Sequence, residues 1–236
     1  MSGWKAKRFW KEAKAVEVEG GWTVQLDARV VKTPAKSPLT VPTRSLAEAI
    51  AAEWDAQQGE VKPDTMPVTR AANSAIDKVA PQYDAVVRML ADYAGTDLLS
   101  YRATDPAGLI ARQAEAWDPL LDWADQRYGA RLSITSGVIP VTQDQAALER
   151  LHAALHEQGV WRVTALHDLI AISGSFVIGM ALGEKAIDLD AGWRASRIDE
   201  HWQVEQWGRD EEAEELEEIK RQAMKNALRF LDLASA

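Results

Sequence analysis

The sequence predicts an α+β protein: a small N-terminal domain of antiparallel strands with helices on one face, then a larger all-helical C-terminal domain. Three observations carry that reading. Apolar residues alternate near the start, with Val16 and Val18 before Gly20-Gly21 and Trp22, Val24 and Leu26 after it. A period of two means strands with one buried face, and a glycine pair between such runs supplies a hairpin turn. After Pro42 the apolar period becomes helical, and beyond Pro81 it hardly breaks. Strands followed by helices pack as an α+β layer. The boundary falls near Ala80-Pro81, dividing the chain into residues 1–80 and 81–236.

Each element has its own signal. Asp27-Ala28-Arg29 is a second turn before Val30-Val31, and Leu39-Thr40-Val41 is a short strand between Pro38 and Pro42. Thr43 or Ser45 can cap a helix to about Gln58 that turns Leu46, Ala49, Ile50 and Trp54 inward. Gly59 ends it, Pro63 and Pro67 bracket a loop, and a helix follows over about 68–79. Tyr83, Val86, Val87, Leu90, Tyr93 and Ala94 form the next helical stripe. The helix carrying Leu109, Trp117, Leu120 and Leu121 meets Asp118-Pro119, where it can kink or restart with Asp118 as cap. Residues 134–141 are the one extended candidate in this half. Helices are expected over about 143–158, 164–182, 189–207 and 210–231. The 164–182 helix holds the apolar run Leu169 to Leu182, too short for a bilayer, which needs about 20 residues; it reads as a core helix.

Composition narrows the function classes. The chain has 236 residues, no cysteine and a formal net charge of −9. Excess acid opposes binding to nucleic acid, which rests on neutralising phosphates, and to anionic membrane surfaces. Without cysteine there is no disulfide, thiol catalysis or thiolate metal site. The start, MSGWKAKRFWKEA, lacks the apolar core of a secretory signal and the composition of a transit peptide. There is no phosphate-binding Gly-x-x-x-x-Gly-Lys-Ser/Thr stretch, and Gly174, Gly179 and Gly183 fit no dinucleotide fingerprint. His152 and His156 have zinc spacing but lack the glutamate of H-E-x-x-H, so no metal is assigned. Ser173 and Ser175 lack the nucleophile elbow. No cofactor is implied.

One stretch stands apart: WRASRIDEHWQVEQWGRD, from Trp193 to Asp210. As one helix it places Trp193, Val204 and Trp207 on one stripe and Ala191, Ile198 and Trp202 nearly opposite. Two apolar stripes predict a central helix packed on both sides. Arg197 and Glu200 lie three apart within the first stripe, so a buried ion pair is the structural reading. The functional reading is a recognition site with a fixed carboxylate. The last helix begins with Asp210, Glu211, Glu212, Glu214, Glu215, Glu217 and Glu218 and then turns basic, which suits the helix dipole. A solvated amphipathic helix is its plain meaning, and an acidic docking surface the alternative.

Several blocks carry a family resemblance: RFWKEA, DARVVKTPAKSPLTVPTRSLAEAIAAEWDAQ, DLLSYRA, EAWDPLLDWADQRYG and SRIDEHWQVEQWG. In order and over nearly the whole chain, they resemble the assembly chaperone that handles the α subunit of the F-type ATP synthase head. The resemblance implies a non-enzyme that binds the unassembled α subunit, keeps it from aggregating and yields it to the β subunit. It implies a bacterial, cytoplasmic setting, since relatives are mitochondrial or α-proteobacterial and no transit peptide is read here. By the S-R-x-x-E-x-x-Q-x-x-x-W-G pattern it points to Arg197, Glu200, Gln203 and Trp207 as partner-binding residues, followed by Gly208. Trp54, in the E-W-D-A-Q block, is read as structural. Two rivals remain: a small-molecule enzyme with a carboxylate site at Asp199, Glu200 and His201, and a permanent structural subunit.

Overall fold

A computed structural model describes residues 7–137, 139–208 and 210–235. Residues 1–6 of the basic N-terminal stretch, Val138 in the expected extended piece and Arg209 in the charged stretch lie outside the described residues. The chain divides into two compact units. Among the described residues, the first takes the chain up to Tyr83, with Val160–Ala165 and the residues from Arg229 onward. The second takes Asp84–Gly159 and Leu166–Leu228.

In the first unit, β1 (Ala13–Val18), β2 (Gly21–Leu26) and β3 (Arg29–Val30) form an antiparallel sheet in that order. The hairpin pairs Val18 with Gly21 and Ala13 with Leu26. At Gly21 a side chain is impossible, because a Cβ would lie 2.3 Å from the Val41 carbonyl oxygen. That approach lets Trp22 and Val41 exchange both backbone hydrogen bonds, at 2.9 and 2.8 Å. The expected strand at 39–41 is thus reduced to a single bridge. At the second turn the Asp27 carboxylate accepts from the backbone of Glu12 and Lys11, which holds its pKa low.

Helix α1 (Arg44–Asp55) starts where the Thr43 hydroxyl accepts from Leu46 N at 3.1 Å, and buries Leu46, Ala47, Ile50 and Ala51. Its Glu53 carboxylate accepts from Val68 N at 2.8 Å and Thr69 N at 2.7 Å, capping α2 (Pro67–Ser74) from outside. A π-helical turn, Ala75–Val79, continues α2. The core joins Trp10, Val24, Leu26, Leu39 and Ile50 to Ala165, Phe230 and Leu231 from far along the chain. Trp54 packs against this core, half-buried.

From Asp84 on, α3 (Tyr83–Ala91) belongs to the second unit, as does the two-residue strand β4 (Tyr101–Arg102). Helix α4 (Ala107–Tyr128) runs through Pro119 without ending. Asp118 therefore does not cap a restart; it pairs with Arg102 at 2.8 Å, and buried Trp117, Leu120 and Leu121 hold the helix together around the proline. Among the described residues of the expected extended piece, β5 (Thr135–Ser136) alone is strand, parallel to β4. Helix α5 (Gln145–His156) is capped by Asp144.

The single apolar helix expected over 164–182 is two: α6 (Gly159–Ser173) and α7 (Phe176–Gly183). Gly174, at φ +69°, takes the left-handed turn that ends α6, and the Ser175 hydroxyl accepts from Ile178 N at 3.0 Å to start α7. Every residue of α7 is buried. Helices α8 (Leu189–Ser196), α9 (Ile198–Trp207) and α10 (Glu211–Ser235) complete the chain. No described helix is long and apolar enough to cross a membrane.

Candidate functional surface

The stretch from Trp193 to Trp207 is not one central helix. It breaks at Arg197, whose backbone sits at φ −125° and ψ 20°. The reason lies in the Arg197 side chain. One guanidinium nitrogen donates to the carbonyl of Ile172 in the last turn of α6, where the helix leaves carbonyls without partners and the dipole favours a cation. The guanidinium also lies over the Trp193 ring, 5.0 Å from its centroid, and donates to Glu200 Oε1 at 2.9 Å.

Burial separates the two members of that pair. The Arg197 side chain is 12% exposed and that of Glu200 55%. The expected buried ion pair is therefore a mostly buried arginine, held by a carbonyl and an indole, with an open carboxylate attached. Before the break, Gly192, Trp193, Ala195 and Ser196 are buried, and the Trp117 indole donates to Ala195 O at 2.8 Å. After it, α9 buries Ile198 alone. Glu200, Gln203 and Trp207 share one face of α9 at three- and four-residue spacing; all are exposed, Trp207 by 80%. The second apolar side expected for this helix does not exist at Trp207. Gly208, at φ +93°, ends α9.

The other side of α9 is tied down. The Gln113 amide donates to Asp199 Oδ1 at 2.6 Å. Burial raises the Asp199 pKa, this hydrogen bond opposes the rise, and the neighbouring Glu200 charge adds to it. His201 meets Glu217 of α10 at 2.7 Å. Arg112 grips Glu205 through two hydrogen bonds, of 2.8 and 3.0 Å, and lies over the Trp202 ring at 4.9 Å. Asp199, Glu200 and His201 thus engage three different partners. None of them lines the open groove of about 400 Å³ bordered by Arg102, Ile110, Asp118 and Ile134.

Elsewhere in this unit, Asp97 is wholly buried. Its carboxylate accepts from Leu99 N at 3.0 Å and Val177 N at 3.1 Å. Burial pushes its pKa up to about 6 against these hydrogen bonds. The His152 and His156 rings stack at 6.3 Å, and His156 faces Asp84 at 3.1 Å. Among the described residues no group of three or more His, Cys, Asp or Glu side chains is placed to hold a metal ion.

Residues 7–125 match the family model of the ATP12 chaperone protein. This chain belongs to the ATP12 chaperone family. The resemblance read from the sequence blocks is thereby borne out. The fold is that of Atp12 from Paracoccus denitrificans, 51% identical, with a TM-score of 0.94 over 97% of this chain and 98% of that one. A protein of Agrobacterium tumefaciens is 39% identical, with a TM-score of 0.93 over 98% of this chain and 87% of its own. Protein atp12, mitochondrial, of Schizosaccharomyces pombe is 26% identical over 236 residues, 94% of this chain and 81% of the yeast protein. The chain is an ATP synthase assembly chaperone.

Sequence reasoning missed two features of this surface. One is the anchoring of Arg197 on α6, which had no local signal because Ile172 is 25 residues away. The other is the exposure of Leu216 and Ile219 on α10, at 52% and 59%. Their spacing was visible, but not that the described residues leave them more than half exposed.

Proposed function

We propose that this ATP12 chaperone binds the unassembled α subunit of F-type ATP synthase through the open face of α9. Glu200, Gln203 and Trp207 make the contact, and Arg197 positions Glu200. The protein works in the bacterial cytoplasm, is not an enzyme and uses neither ATP nor another cofactor. The observation that carries the reading is the lopsided pair. Arg197 has its own anchors in Ile172 and Trp193, so Glu200 stands exposed beside an exposed tryptophan. Tryptophan is among the residue types that most often anchor protein contacts.

An isolated α subunit exposes apolar surface that it later buries against β, and such patches drive aggregation. A chaperone without a nucleotide site must be displaced by competition. Its affinity therefore has to be below that of the finished assembly.

The test dilutes denatured α subunit into buffer and follows light scattering with the wild type, Glu200→Gln and Glu200→Lys. Protection should be stoichiometric, indifferent to ATP and selective for α over β. It should fall with Glu200→Gln and further with Glu200→Lys, while the melts stay normal. Equal protection of β, or normal protection by Glu200→Lys, rejects the reading.

A further inference from the structure

Helix α10 carries an apolar stripe that is covered at one end and bare at the other. At 100° per residue Leu216, Ile219, Ala223 and Phe230 fall within about 60° of one another. Phe230 is 1% exposed and belongs to the first unit's core. Ala223 is half-buried. Leu216 and Ile219, one turn apart on the same stripe, are 52% and 59% exposed. Single exposed apolar residues are ordinary, but two adjacent ones on a stripe that elsewhere builds core form a face that no described residue covers. Glu212 and Glu215 stand beside them along one flank, with Glu211 and Glu218 further round the helix, all exposed; the other flank carries Lys220, one turn after Leu216. From Asp210 to Glu218 the sequence has no basic residue. The first cations after it are Lys220 and Arg221, and Arg221 is engaged by Asp190 at 2.7 Å.

We infer that the first half of α10 is a second docking face, taken by a basic amphipathic segment of the client: an apolar stripe flanked by lysine or arginine. This rests on the α-subunit reading above and names the chemistry of the client segment. Leu216 and Ile219 supply the apolar contact, and the carboxylates select the partner. Charge decides between occupants. A second copy would bring the same carboxylates against one another, and like charges facing each other oppose association. An anionic lipid surface is repelled for the same reason. A basic segment gains from the carboxylates along that flank, and more so at low salt.

The test uses the full chain with p-benzoylphenylalanine at position 219, at 203 and, as a control, at 89, another exposed apolar position on the second unit. Denatured α subunit is the probe, and cross-linked peptides are identified after irradiation. The inference expects adducts from 203 and 219 well above those from 89, with the 219 adduct on a client peptide rich in lysine or arginine. Adducts from 203 alone overturn the docking face and leave the α9 reading standing. Adducts from neither overturn both. An adduct between two copies of this chain, or on a client peptide without basic residues, overturns the choice of occupant. Leu216→Asp/Ile219→Asp provides a second measurement. Both side chains are more than half exposed, so the melt should hold while client affinity weakens about tenfold or more. A normal melt with unchanged affinity also overturns the inference.

Discussion

Helices α8 and α9 flank Arg197, and each carries a tryptophan that the sequence placed on one stripe. Trp193 in α8 is 6% exposed and packs under the Arg197 guanidinium, whereas Trp207 in α9 is 80% exposed. Arg197 belongs to the closed side, because its donors go to Ile172 and it covers an indole. Glu200, bonded to it, belongs to the open side. An ion pair can thus have one member that serves folding and another that remains available to a partner. The value of each member must be judged by its own burial.

The largest expected effect separates the two tryptophans. Trp193→Ala should cost about 3–5 kcal/mol, as large-to-small changes in packed cores do. Trp207→Ala should stay within about 0.5 kcal/mol, as exposed substitutions do, yet lose protection of the α subunit. Chemical denaturation and the scattering assay together decide this. Equal destabilisation by both would erase the division at Arg197.

The buried carboxylate of Asp97 sharpens the same contrast against Glu200. Asp97→Ala leaves at least two buried N–H groups, of Leu99 and Val177, without acceptors. The loss should be on the order of 3 kcal/mol, given about 1–3 kcal/mol for each orphaned group. Its pKa of about 6 lies above the ordinary 3.8, so the native state holds a proton that the unfolded chain has released. The stability contributed by this group is therefore present below about pH 4 and is lost as pH rises through 6. The gap between wild type and Asp97→Ala should narrow between pH 4 and pH 7, as read by denaturation at each pH. A gap that widened over that range would contradict the buried carboxyl.

Smaller effects divide the pair itself. Arg197→Met keeps an apolar stem over Trp193 but removes the donor to Ile172 O, so it should cost about 1–3 kcal/mol. Glu200→Gln should cost below roughly 1 kcal/mol, the scale of an exposed ion pair. If the glutamate variant melted lower than the arginine variant, Glu200 would be the structural member and α9 would lose its claim as a contact face.

Much of the fold was legible because its signals are local. The Gly20-Gly21 hairpin, the Thr43 cap of α1 and the change of apolar period after Pro42 each depend on neighbours a few residues apart. The breaks were less legible. Asp118-Pro119 read as a kink or restart, but α4 continues through it with Trp117, Leu120 and Leu121 buried on either side. Residues 164–182 read as one helix, whereas Gly174 ends α6 in the left-handed conformation.

By itself the sequence determined the α+β class and the family, because motif blocks and periodicity are properties of order along the chain; by the same blocks it nominated Arg197, Glu200, Gln203 and Trp207 as contact residues. It also determined that α10 has an apolar stripe beneath an acidic start. Only the tertiary structure decided which of those residues are covered. Burial depends on segments far away in sequence: Ile172 draws Arg197 inward, the first unit's core takes Phe230, and no described residue covers Trp207, Leu216 or Ile219 to a comparable degree. A helical stripe records that a side will meet apolar matter; whether its own chain or another supplies it is settled by the packing of all the elements together.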